Sequence, residues 1–149
     1  MFPPITNEII FRASAVLPAA GAWDAAPLEI AVPSKSRMTL YISYTRGAAG
    51  GAMDFQVVVS PYSATRAGVQ NWFMQSQYDS AALVAGADSQ GRVQREYITY
   101  GSIGAAIENF VYGSVELDAG VERVRVQARE SGVVATPGIC HIVGIVYDI

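Results

Sequence analysis

The sequence predicts an all-β fold, an antiparallel sandwich of about eight to nine strands with jelly-roll or Greek-key topology. Three observations predict it. Short runs of residues alternate between apolar and polar. Turn-forming residues separate the runs. No long segment carries helical periodicity. Between Arg37 and Ser60, Met38, Leu40, Ile42 and Tyr44 fall on one side, against Thr39, Tyr41, Ser43 and Thr45. After the connection Arg46 to Ala52, Met53, Phe55, Val57 and Val59 alternate with Asp54, Gln56, Val58 and Ser60. Period-two alternation places one set of side chains on each face of a strand. The two runs read as an antiparallel hairpin whose loop uses Gly47, Gly50 and Gly51 for positive φ angles.

Residues 1–7 read as an extended N-terminal arm, because Pro3 and Pro4 fix φ and withhold donors, while Phe2 and Ile5 give the arm apolar groups to bury; a frayed terminus is the alternative. The rest, 8–149, reads as one sandwich domain. Glu8 to Leu17 is its first strand, and Leu28 to Val32 a short one closed by Pro33. The loop between them carries Trp23 and Asp24. Asn71 to Tyr78 alternates again and places Trp72 in the core. The loop Asp79 to Gly91 includes a helical turn at Ala81 to Ala85. Val93 to Tyr100 and Asn109 to Leu117 are strands, the second with a bulge at Gly113. Beyond the turn Asp118 to Gly120, Val124, Val126 and Ala128 point inward and Arg123, Arg125 and Arg129 outward. Ile139 to Tyr147 is the last strand.

Composition bounds the function. At 149 residues the chain buries enough surface to need no metal or disulfide. The single cysteine, Cys140, forms no internal disulfide. A cleaved export signal and a transmembrane-length apolar run are both absent from the pattern, so a soluble protein without membrane partners is expected. With a net charge of -3 and scattered basic residues, nucleic acid is not expected as a partner. Only 15% of residues are charged while 51% are hydrophobic, against roughly 25% charged in an ordinary soluble domain. That excess apolar surface fits a subunit that lives in an assembly.

The last strand carries this argument furthest. Ile139, His141, Val143, Ile145 and Tyr147 line one face and Cys140, Ile142, Gly144 and Val146 the other, so both faces are apolar. A sandwich strand has one core face and one solvent face, so this strand needs a second cover. That cover is a neighbouring subunit, or the chain's own arm or a loop. Arg123, Arg125 and Arg129 share a face that either pairs with carboxylates on adjacent strands or docks an acidic partner. Trp23 is an end plug or a subunit anchor, with sugar stacking as the alternative. No catalytic constellation emerges. Cys140 and His141 are adjacent and so point to opposite faces, His141 is the sole histidine, and the carboxylates are dispersed. The expectation is a non-enzyme without cofactor or metal.

The segment Leu40 to Ala52, and Val121 to Val126 ahead of the Thr136-Pro137-Gly138 turn, resemble small all-β virion proteins of tailed bacteriophages, of the capsid decoration (cement) type. The resemblance implies a homo-oligomer, often a trimer, made in the host cytoplasm and bound to the capsid surface. There it would bridge copies of the major capsid protein or another virion protein. The candidate interface is then Phe2, Pro3, Pro4, Ile5, Trp23, the three arginines, and Ile139, His141, Val143 and Ile145. The alternative expectation is a carbohydrate- or receptor-binding module of a phage fibre or tail, recognising sugars through Trp23 and tyrosines 41, 78, 97 and 100.

Overall fold

A computed structural model describes residues 8–33, 35, 37–75, 77–79, 93–101, 107–118 and 120–148. The arm at 1–7 and the helical turn expected at 81–85 lie outside them. Among the described residues eleven strands are formed: β1 Ile9–Val16, β2 Ile30–Ala31, β3 Arg37–Thr45, β4 Ala52–Ser60, β5 Phe73–Gln75, β6 Gln77–Asp79, β7 Val93–Arg95, β8 Ile98–Gly101, β9 Ile107–Glu116, β10 Arg123–Glu130 and β11 Ile139–Tyr147. Nine strands become eleven because two expected runs each divide. Asn71 to Tyr78 yields β5 and β6, and Val93 to Tyr100 yields β7 and β8.

The strands make two main antiparallel sheets. Sheet A has the order β1-β11-β3-β9, and sheet B the order β2-β10-β4-β5 with β8 also on β4. A separate ribbon joins β6 to β7. The pairs are nested: β1 with β11, β2 with β10, β3 with β9, β4 with β8. A long antiparallel ribbon wound so that successive strands alternate between two sheets is a jelly roll.

The hairpin expected at 37–60 does not form. β3 pairs with β11 and β9, whereas β4 pairs with β10, β5 and β8 in the opposite sheet. Each of the two strands carries a full inward apolar row, so they serve better as facing walls than as neighbours in one wall. Their connection is a crossover. Only Gly50 takes a positive φ there, at 79°. Gly51 is needed for close approach, since a Cβ on it would stand 2.8 Å from the Tyr44 hydroxyl.

Between the sheets lie Phe11, Met38, Leu40, Ile42 and Tyr44 from one side and Met53, Phe55, Val57, Val124 and Val126 from the other, all buried. Phe55 of β4 meets Tyr112 of β9 edge-on, ring centroids 5.1 Å apart. The inward parities expected for β3, β4 and β10 are thus the observed ones. The ladder between β3 and β9 slips between Met38 and Leu40, opposite Gly113, where the bulge was expected.

Two polar clusters close the core. Arg12 donates to Asp24 through Nε at 2.9 Å and Nη2 at 3.1 Å. It also donates to the carbonyls of Ala15, Val16 and Cys140. Asp24 additionally accepts from the Ala128 N–H at 3.0 Å, so the loop after β1 is tied to β10. The second cluster continues the inward rows of β3 and β10 to their ends. The buried Tyr44 hydroxyl lies 3.2 Å from both carboxylate oxygens of the buried Glu130.

Burial raises the Glu130 carboxyl pKa, partly opposed by the Tyr44 hydroxyl and the N–H groups of Gly138 and Ala52. A carboxyl with a raised pKa in the folded state holds its proton more tightly there than in the unfolded chain. Its contribution to stability is therefore complete below the ordinary carboxyl value of about 4.3, and is lost as pH rises through the folded value. Glu130→Gln is expected to remove that loss, so thermal melts from acid to neutral pH should decline less steeply than wild type. Parallel slopes would contradict this account of Glu130.

Candidate functional site

The residues singled out from sequence separate onto the two outer faces of the sandwich. Phe2, Pro3, Pro4 and Ile5 lie outside the described residues. Trp23, Arg123, Arg125 and Arg129 belong to the outer face of sheet B, and Ile139, His141, Val143 and Ile145 to that of sheet A.

On the sheet B face the charged groups Arg123 and Arg129 are paired within the chain, while Met74 of β5 stays half exposed. The three arginines leave β10 on the side opposite Val124 and Val126, and two of them pair with carboxylates, as one of the two sequence readings had it. Arg123 is buried: Nη1 reaches Glu29 at 2.7 Å and Nε the Tyr62 carbonyl at 2.7 Å. Arg129 Nε reaches Asp54 at 2.8 Å, and Asp54 also accepts from Thr99 at 2.6 Å. Tryptophans roof the row. Trp72 takes the guanidinium carbons of Arg123 and Arg125 at 4.8 and 4.2 Å from its ring centre. Trp23 takes Arg129 at 4.1 Å and meets Tyr97 edge-on.

Trp72 is therefore not the core residue its alternating run implied. β5 is an outer strand of sheet B, and its leading residue folds over the arginines, which keep charge near the indole's negative π face. Burial lowers the Arg125 pKa, with neighbouring Arg123 acting the same way and Glu29 opposing. A shallow cleft of about 370 Å³ lies at one end of this face, among Gly21, Asp54, Tyr97, Thr99, Arg129 and Glu130. Its principal charged groups already have partners within the chain.

The sheet A face is different. Residues directly opposite in an antiparallel pair point to the same side, so the register gives the surface row by row. Val16, Ile139, Thr45 and Ile107 form one row. His141, Ser43 and Asn109 form the next on three strands. Ile10, Val143, Tyr41 and Val111 form a third that crosses the whole sheet. Val16, Ile139, Ile107, Ile10, Tyr41 and Val111 are each between 42% and 61% exposed. These three rows contain no Asp, Glu, Lys or Arg. Beyond the third row, Arg37 pairs with Glu116 at 3.2 Å and Lys35 with Asp148 at 3.7 Å. At the other end Arg46 follows Thr45.

Among the described residues Cys140 and His141 lie on opposite faces of β11. Cys140 is buried inward against Met53 at 3.6 Å, and burial pushes its thiol up to about 12, whereas His141 stands on the outer face of sheet A. Among the described residues no group of three His, Cys, Asp or Glu side chains could hold a metal ion, and no helix is long and apolar enough to cross a membrane. Comparison with protein-family models, with curated proteins and with solved structures finds no match.

The sequence reading reached the β11 part of the apolar face and missed Ile10, Val16, Tyr41, Ile107 and Val111. Each adds one or two apolar residues to an otherwise ordinary outward set. They become a surface only when register aligns them. Glu130 was missed too, although its signal was present: it continues the inward parity of Val124, Val126 and Ala128.

Proposed function

We propose that this protein is a structural subunit that works by assembly, a virion protein that coats and stabilises the capsid of a tailed bacteriophage. The supporting observation is the outer face of sheet A, where two uncharged apolar rows remain exposed after the subunit has closed its own core. Surface of that kind raises the free energy of a solitary molecule and lowers it once covered, by roughly 25 cal/mol per Å² before association costs. Repetition around shell joints multiplies the effect through avidity. The capsid itself enters through the resemblance of the segments Leu40 to Ala52 and Val121 to Val126. Jelly rolls serve both shells and lectins, so the fold does not choose between them.

The sugar-binding alternative finds less support. Trp23 and Tyr97 belong with Arg129 over sheet B, while Tyr41 stands on sheet A, so these aromatics do not make one platform. The side chains of tyrosines 78 and 100 lie outside those described.

Antibody labelling of particles purified from the host that makes the protein tests the reading. Label on the heads is expected. A chain lacking residues 1–7 is expected to bind purified shells more weakly than the full chain. Particles without label would count against the virion assignment, and full-strength binding by the shortened chain would count against the arm.

A further inference from the structure

We infer that the outer face of sheet A is the contact between two copies of this chain, laid face to face about a two-fold axis. This rests on the assembly reading above and names the partner of the same surface. The rows are self-complementary. An axis relating a sheet to its own copy lies in the plane between them. Running along the strands, it places each row on the same row of the partner. Running across them at the middle row, it exchanges the two apolar rows. In both arrangements His141, Ser43 and Asn109 meet the same polar row, and apolar residues meet apolar ones. Because these rows hold no charge, a copy meets no like-charge repulsion across them.

Size comes close. Four strands about 4.8 Å apart and about nine residues long, at about 3.3 Å per residue, give the whole sheet face, its charged Arg37–Glu116 end included, a footprint of about 19 by 30 Å, or about 570 Å² before side-chain relief. That is just under the range of about 600–1,000 Å² per partner for a standard interface, and the three uncharged rows are its central part. Sheet B matters as well. Among the described residues its outer face carries Trp23 and Trp72 over paired arginines beside the half-exposed Met74, so it does not offer the uncharged rows that sheet A does. A single self-complementary face closes into a two-fold pair, not an open stack.

Light scattering of the full chain after size exclusion, over a wide range of concentrations, decides the matter. A mass twice that of the chain is expected. Tyr41→Arg, on an exposed residue of the third row on the inner strand β3, buries an unpaired charge in the contact and should raise the dissociation constant by about 100-fold or more. Val111→Arg should act alike and serves if the first variant misfolds by circular dichroism. Val133→Arg, at a fully exposed site in the loop before β11, should leave the mass unchanged. A monomer at every concentration, a stable trimer, or a dimer indifferent to both Tyr41→Arg and Val111→Arg would overturn the inference. A monomer that still coats shells would remove this contact and leave the virion reading standing. A dimer found on no particle would do the reverse.

Discussion

Asp24→Ala is expected to destabilise the protein by about 3–5 kcal/mol, the loss that follows when one partner of a buried ion pair is removed. Asp24 holds two nitrogens of Arg12 and the backbone N–H of Ala128. The Arg12 side chain is only 9% exposed, so water cannot replace the missing carboxylate without opening the end of the sandwich. The three carbonyls that Arg12 also contacts satisfy donors but do not neutralise its charge. The loop after β1 would lose one of its ties to β10 as well, and keep the backbone bonds from the Asp24 N–H to the Ala128 carbonyl and from the Glu130 N–H to the Pro18 carbonyl. Stabilities of single domains run from about 5 to 15 kcal/mol, so the variant should unfold at far lower urea. Asp24→Asn should recover part of the loss by keeping the acceptor. Equilibrium unfolding at one fixed protein concentration checks both, and a loss below about 1 kcal/mol for Asp24→Ala would refute the role given to the pair.

Phe55→Ala is the second large expectation, also about 3–5 kcal/mol. Phe55 is fully buried on β4 and reaches across to the Tyr112 ring on the opposite sheet. Truncation removes apolar area and leaves a void that both β-sheets must either collapse around or leave empty. Phe55→Leu should restore much of the stability, because volume and apolarity are largely kept. Urea unfolding again measures it. A cost for alanine no greater than that for leucine would mean that this residue does not bridge the layers.

The fold class and the inward rows were legible in the sequence because both are local. Alternation decides which side of a strand Leu40, Phe55 or Val126 faces without reference to any partner. Pairing is not local. The runs ending at Thr45 and starting at Ala52 are separated by a connection that suits a hairpin and a crossover equally well. Only the demand of two walls for two apolar rows selects the crossover. The arginines of β10 were placed on the correct side, but nothing near them in sequence announces Trp72 and Trp23. Those rings arrive from segments more than 50 positions away. The apolar face of sheet A was half visible for a similar reason. β11 shows its share in one run, whereas β1, β3 and β9 contribute Ile10, Tyr41 and Val111 singly, and alignment requires the register. The polar ends of the core, Arg12 with Asp24 and Tyr44 with Glu130, join residues that no spacing rule connects.

The nested ladder has a consequence for how the molecule comes into being. The first strand waits for the eleventh, and sheet A has no middle until Ile139–Tyr147 exists. A nascent chain can therefore complete little of sheet A before this strand has emerged, and closure then proceeds at the slow rates typical of distant strand pairing. Until then β1 and β3 offer bare backbone edges to any similar chain nearby. Loss of Ile139–Tyr147 would leave sheet A with only the β3–β9 pair and would free the edges of β1 and β3.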